Sequence, residues 1–153
     1  MRGQPDSLSL GQSAPLFAAK LPNGETFHLE KCRGNFVLLV FYPGDFTPIC
    51  TSQLCLLRDC WEEIQSAGIL VVGLNPAPHA LHKIFSGITR LPFPLLSDAS
   101  GSIAQSYGCR GKFGSNVRTV FLLDREGIVA KIWRGKPAVA EILEQVRQLE
   151  NRL

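Results

Sequence analysis

The seven residues Phe36-Val37-Leu38-Leu39-Val40-Phe41-Tyr42 form an unbroken apolar run, and they restrict the possible folds of this chain most tightly. A strand with one wet face would alternate polar and apolar side chains. A continuous run rich in aromatic and β-branched residues is instead a strand covered on both faces. Ile69-Leu70-Val71-Val72-Gly73-Leu74 reads the same way. Between the two runs, Leu54, Leu57, Trp61 and Ile64 recur at steps of three and four, which predicts one helix over about Thr47 to Ala67, stopped by Gly68. Strand, helix and strand within about 35 residues make a βαβ unit, with parallel strands and a right-handed crossover.

The flanking segments complete a layered α/β pattern. Leu21 to Leu29 carries the turn signal Pro22-Asn23-Gly24 and predicts a short N-terminal hairpin. His79 to Ser86 and Ser100 to Tyr107 read as short helices, with Pro92 to Leu96 extended between them. Thr119 to Leu123 and Ile128 to Trp133 are strands joined across Asp124-Arg125-Glu126-Gly127, a link short enough to make them an antiparallel hairpin. Pro137 opens a last amphipathic helix through Val139, Ile142, Leu143, Val146 and Leu149. A βαβ half followed by a β-hairpin and a closing helix is the order of a thioredoxin-like fold. The expectation is a central mixed β-sheet flanked by helices, with an N-terminal β-hairpin, in a single domain over residues 1–153. No repeat, low-complexity tract or charged block divides the chain.

Composition removes several classes of function. With 45% apolar and 19% charged residues the chain is neither disordered nor fibrous. An apolar run of seven residues falls far short of the roughly 20 needed to cross a bilayer, so no membrane association is expected. A net charge of +3, scattered along the chain, does not point to nucleic acid. The first residues, MRGQPDSLSLGQSAP, lack the apolar stretch of an export signal, and a cytoplasmic protein is expected. Cys32, Cys50, Cys55, Cys60 and Cys109 are odd in number and unsuited to a disulfide scaffold. Cys32 and Cys109 read as small buried hydrophobes.

The chemistry concentrates where the first core strand runs into the helix. Thr47 is a good N-cap and Pro48 suits the first helical position, so Cys50 falls in the opening turn. Free backbone N–H groups and the positive end of the helix dipole favour a thiolate there, at the sheet edge where open α/β folds place active sites. The alternative is a buried cysteine heading the stripe Leu54, Leu57, Trp61, Ile64. Cys55 lies five residues on, rotated roughly 140° and raised about 7.5 Å on a helix. A disulfide wants Cα atoms within about 7 Å, so an intact helix cannot join the two. Either the helix unwinds whenever they bond, or Cys55 is an incidental cysteine on the outer face. Cys60 continues the spacing and reads as a packing residue, the alternative being a thiol that traps an oxidised partner. His79 and His82 read as a solvated pair without a third metal ligand, and the Gly108–Gly114 loop as a mobile loop lacking phosphate-cradle spacing. Arg118 opens the strand before the hairpin; a guanidinium beside a thiolate would keep it ionised.

The segment Phe41-Tyr42-Pro43-x-Asp45-x-Thr47-Pro48-x-Cys50-Thr51-x-Gln53-x-Cys55-x-x-Arg58-Asp59 resembles the signature of the peroxiredoxins, and most closely the peroxiredoxin Q or bacterioferritin comigratory protein branch. Gly11-x-x-Ala14-Pro15-x-Phe17, Pro94 to Asp98, Tyr107-Gly108 and Arg118 to Asp124 fit the same family order. The resemblance implies a thiol-dependent peroxidase acting on hydrogen peroxide and organic hydroperoxides. Cys50 would be the peroxidatic cysteine and Cys55 the resolving one, closing an intramolecular disulfide. Pro43 would shield the sulfur, Thr47 would hydrogen-bond the peroxide, and Arg118 would polarise it. A thioredoxin-like dithiol would be the reductant, with no metal, haem or flavin cofactor, in a monomer or weak homodimer. Ile49 stands where the family often has Gly or Val. A non-enzymatic reading competes: a redox-switched sensor or chaperone-like binding protein that exposes Leu54 and Leu57 when its helix unwinds.

Overall fold

Both apolar runs lie inside a five-stranded sheet, each hydrogen-bonded along its two edges. The computed structural model describes residues 8–152. Along it run β1 (Ala18–Lys20), β2 (Thr26–His28), β3 (Phe36–Phe41), α1 (Pro48–Asp59), α2 (Trp61–Ser66), β4 (Ile69–Asn75), α3 (His79–Thr89), β5 (Leu95–Ser97), α4 (Ser102–Ser106), β6 (Thr119–Leu123), β7 (Val129–Arg134) and α5 (Val139–Glu150). The sheet order is β5-β4-β3-β6-β7; β3, β4 and β5 are parallel, while β6 and β7 run antiparallel to their neighbours. The mixed sheet and the separate β1–β2 hairpin agree with the expected thioredoxin-like architecture.

The pleat of β3 sorts its side chains into two cores. Phe36, Leu38 and Val40, with Tyr42 beyond them, meet Cys50, Leu54 and Leu57 of α1, Ile64 of α2, Phe85 of α3, and Ile142 and Val146 of α5. Val37, Leu39 and Phe41 face the opposite way, onto Tyr107, Cys109, Phe121 and the α4 residues Ile103 and Ala104. Burial on both faces is the physical reason the run carries no polar alternation. Gly73 is required by a close approach: a Cβ there would stand 2.7 Å from Leu95 Cδ2 and 3.2 Å from the Tyr42 ring.

Three expectations change in detail. The helix predicted over Thr47 to Ala67 is two helices, broken at Cys60 (φ −104°, ψ 21°). Glu62 and Glu63 occupy the first turn of α2, where acidic side chains favour a new helix start. Ile64 follows Leu57 by seven residues, so the apolar face survives the break. Pro137 precedes the last helix, which is capped by Ala138 and begins at Val139. The Gly108–Gly114 segment closes into a turn, Gly111 N–H donating to the Ser115 carbonyl at 2.7 Å, with Phe113 98% exposed at its tip.

Candidate active site

The chain leaves β3 at Phe41 and enters α1 at Pro48, and the six residues between them set the position of Cys50. Thr47 is the N-cap in extended conformation (φ −77°, ψ 146°), its Oγ1 accepting the Cys50 backbone N–H at 3.3 Å. The Thr47 hydroxyl donates in turn to the Gly44 carbonyl at 3.4 Å. Pro48 takes the first helical position, as its missing N–H allows. Cys50 therefore lies in the first turn of a twelve-residue helix, and its side chain is buried.

Arg118 comes from the neighbouring strand, directly before β6. In the β3–β6 pairing Thr119 stands against Phe41, so Arg118, one residue earlier, projects where the β3 chain turns away. Its Nη2 donates to Cys50 Sγ at 3.0 Å and its Nη1 to Gln53 Oε1 at 2.6 Å. Cys50 and Gln53 are three residues apart on one face of α1, so a single guanidinium bridges both. A fixed positive charge beside the sulfur stabilises anionic sulfur electrostatically, and the helix N-terminus adds to it.

Pro43 is half-buried just beyond β3, and Cys55 is half-buried further along α1. Cys50 and Cys55 share the unbroken helix Pro48–Asp59, with both sulfurs free. Cys50, Thr47 and Arg118 are thus brought together; Cys55 is held apart by the geometry of the helix. Cys32 and Cys109 are buried, as expected, and burial pushes the Cys109 thiol up to about 12, with Arg134 opposing the shift. The Cys32 thiol is raised for the same reason. Cys60, half-buried at the break between α1 and α2, is raised by desolvation and by Glu63 and Asp59.

Several polar residues that hold this site escape a reading of spacing alone. Gln53 is 4% exposed on the apolar face of α1, where only an internal partner would keep an amide. Asn116 donates through Nδ2 to the Tyr42 and Leu74 carbonyls at 3.2 and 2.9 Å, tying together the ends of β3 and β4. The expected solvated His79–His82 pair is corrected: His82 is 0% exposed, and its Nδ1 lies 2.7 Å from Asp45 Oδ2. His82 shares the inward face of α3 with Phe85, which carries it under the loop that precedes Cys50. Tyr42 donates its hydroxyl to Asp45 Oδ1 at 2.6 Å, and burial and the Asp45 charge raise its phenol.

The AhpC/TSA family model matches residues 10–132 of the chain. The chain belongs to the AhpC/TSA family. It is 35% identical over 150 residues to the peroxiredoxin bcp of Coxiella burnetii, covering 94% of this chain and 99% of that one. It is 38% identical over 128 residues to the chloroplastic peroxiredoxin Q of Populus jackii, covering 82% of this chain and 60% of that longer protein. The crystal structure of peroxidoxin BcpB from Mycobacterium tuberculosis superposes with a TM-score of 0.85 at 27% identity, covering 93% of this chain and 98% of that one. As a peroxiredoxin of the Bcp and peroxiredoxin Q type, the protein is a thiol-dependent peroxidase. Among the described residues, no helix of this peroxiredoxin is long and apolar enough to cross a membrane.

Proposed function

We propose that Cys50 is the sulfur that attacks the peroxide, and that one domain spanning residues 1–153 carries the whole cycle with Cys55 as resolving thiol. The observation that carries this reading is the 3.0 Å hydrogen bond from Arg118 to Cys50 Sγ. Cys50 thiolate attacks the distal oxygen of ROOH, the O–O bond breaks, and the departing alkoxide takes a proton to leave as ROH. Cys50 then carries a sulfenic acid, the sulfur oxidised by two electrons. Thr47, exposed at the helix start, hydrogen-bonds the peroxide, while Arg118 stabilises charge building on its oxygens. Half-buried Pro43, in the loop before Cys50, limits water around the sulfur.

Resolution requires the first turns of α1 to open, because an intact helix holds Cys50 and Cys55 about 7.5 Å apart along its axis and on different faces. Cys55 thiolate attacks the sulfenic sulfur, water leaves, and the intramolecular disulfide forms. A dithiol, thioredoxin by likeness to the branch, regenerates both thiols by exchange and is itself oxidised to a disulfide. Sulfur chemistry within one chain suffices for these steps, so a monomer can complete them. Five free thiols fit a reducing compartment such as the cytoplasm.

Two variants test the assignment under a thioredoxin-coupled assay. Cys50→Ser should abolish turnover of hydrogen peroxide. Cys55→Ser should consume one equivalent and stop with a trappable sulfenic acid. Undiminished turnover by Cys50→Ser would overturn the reading.

A further inference from the structure

The loop that delivers Thr47 and Cys50 is fastened to α3, and the peroxidase steps make no use of that attachment. Asp45 sits two residues before Thr47, with its side chain 0% exposed. Its Oδ1 accepts from the Tyr42 hydroxyl at 2.6 Å and from Asn75 Nδ2 at 3.3 Å. Its Oδ2 faces His82 Nδ1 at 2.7 Å; a carboxylate can only accept, so this ring nitrogen carries the proton. One carboxylate thereby joins the end of β3, the end of β4 and the first turn of α3. The other ring nitrogen, His82 Nε2, is buried without a hydrogen-bond partner, so among the described residues the ring's hydrogen bonding is to Asp45 alone.

The next residue repeats the attachment in apolar form. Phe46 adopts φ 66°, a left-handed conformation that bulky residues rarely take. Its ring meets Phe85 of α3 edge to face, with centroids 4.9 Å apart. Asp45 and Phe46 thus grip consecutive inward positions of α3, His82 and Phe85, immediately before the N-cap of the helix that must open. An off-minimum backbone conformation persists only where its surroundings enforce it, so release of the grip favours movement of the loop.

We propose that Asp45 and His82 form a latch, acting as positioning residues that hold the Pro43–Thr47 loop closed for reaction with peroxide and delay opening of α1 for resolution. The proposal rests on the assignment of Cys50 and Cys55 above. The closed latch keeps Thr47 capping Cys50, the arrangement in which Arg118 reaches the sulfur. Melting the first turn carries Thr47 away and pulls on Asp45, so the two states compete through this pair. Weakening it must move the two steps of the cycle in opposite directions.

The test is rapid-quench mass spectrometry of the full chain with hydrogen peroxide. It measures separately the second-order rate constant for Cys50 oxidation and the first-order rate constant for disulfide formation. In His82→Leu, oxidation should slow and disulfide formation should quicken, each by about tenfold, the scale expected for a lost buried charge-assisted hydrogen bond. His82→Asn, whose amide nitrogen stands where Nδ1 did, should restore both constants towards wild type. Asp45→Asn keeps the shape of the loop and serves if His82→Leu does not fold; the same opposed shifts are expected, at smaller size. Constants that stay unchanged, or that fall together, in whichever variant folds would overturn the latch. Failure of the wild type to form a Cys50 sulfenic acid would instead overturn the assignment on which the latch rests.

Discussion

Arg118 spends its two terminal nitrogens on one face of α1, at Cys50 Sγ and Gln53 Oε1. A planar fork can hold both positions, whereas an ammonium offers a point charge without fixed direction. Arg118→Lys should therefore slow Cys50 oxidation about 10-fold and Arg118→Met about 100-fold, in line with about 1.5–3 kcal/mol for hydrogen bonds to charged groups. Stopped-flow peroxide kinetics would check both, and equal rates for Lys and Arg would contradict the fork. Gln53→Leu, which frees one arm of the guanidinium, should slow the same step by a smaller factor. A second residue-scale prediction concerns Cys109, whose thiol burial raises to about 12. At pH 8 roughly one such thiol in ten thousand is ionised. Alkylation of the native reduced protein should mark half-buried Cys55 and leave Cys109 unmodified until denaturant is added, as peptide mapping would show. The sulfur, its cap and the arginine were legible because each sits at a position of known chemistry: a helix start and a strand end. Gln53 and His82 were not, because a helical period says which face a residue takes but not whether a distant loop supplies its partner.

At the scale of elements, α1 has two tasks that conflict. Closed, it keeps Cys50 in its first turn, at the positive end of the helix; open, it lets Cys55 approach. Helix propensity at an exposed position should shift this balance without touching the chemistry. Ser52 is exposed on α1, its hydroxyl accepting from Lys136 Nζ at 3.2 Å. Ala and Gly differ by about 1 kcal/mol in a helix interior, a factor of about five. Disulfide formation after peroxide should be about fivefold faster in Ser52→Gly than in Ser52→Ala, measured by quenched-flow mass spectrometry. Identical rates would mean that α1 does not open on the way to the disulfide. The parallel pair β3–β4, the β6–β7 hairpin and the closing helix were legible from period and link length. The break at Cys60 was hidden because seven residues separate Leu57 from Ile64, so the apolar stripe continues in register across it.

For the molecule as a whole, the sheet is buried on two faces, and each core contains a tyrosine that burial makes hard to ionise, Tyr42 on one side and Tyr107 on the other. Cys109 joins them, raised from 9.0 to about 12. The folded protein holds these protons more tightly than the unfolded chain, so their contribution is intact below pH 9 and is lost as pH climbs towards 12. Urea unfolding at several alkaline pH values should show stability falling across that window, with a shallower slope in Cys109→Ala; an identical slope would remove Cys109 from the account. The two-sided core was legible in the apolar run of β3, whereas the polar ties across the sheet ends, Asn116 and Asp45 among them, depend on tertiary contacts that no local pattern encodes. The most direct test of the whole scheme is a tryptic map after one equivalent of hydrogen peroxide. Cys50 and Cys55 share the peptide 34–58, while Cys32 falls in 32–33, Cys60 in 59–83 and Cys109 in 91–110. The scheme predicts that peptide 34–58 alone becomes lighter by two hydrogens. A crosslink from 34–58 to any of the other three peptides, or an oxidised product with 34–58 unchanged, would contradict it.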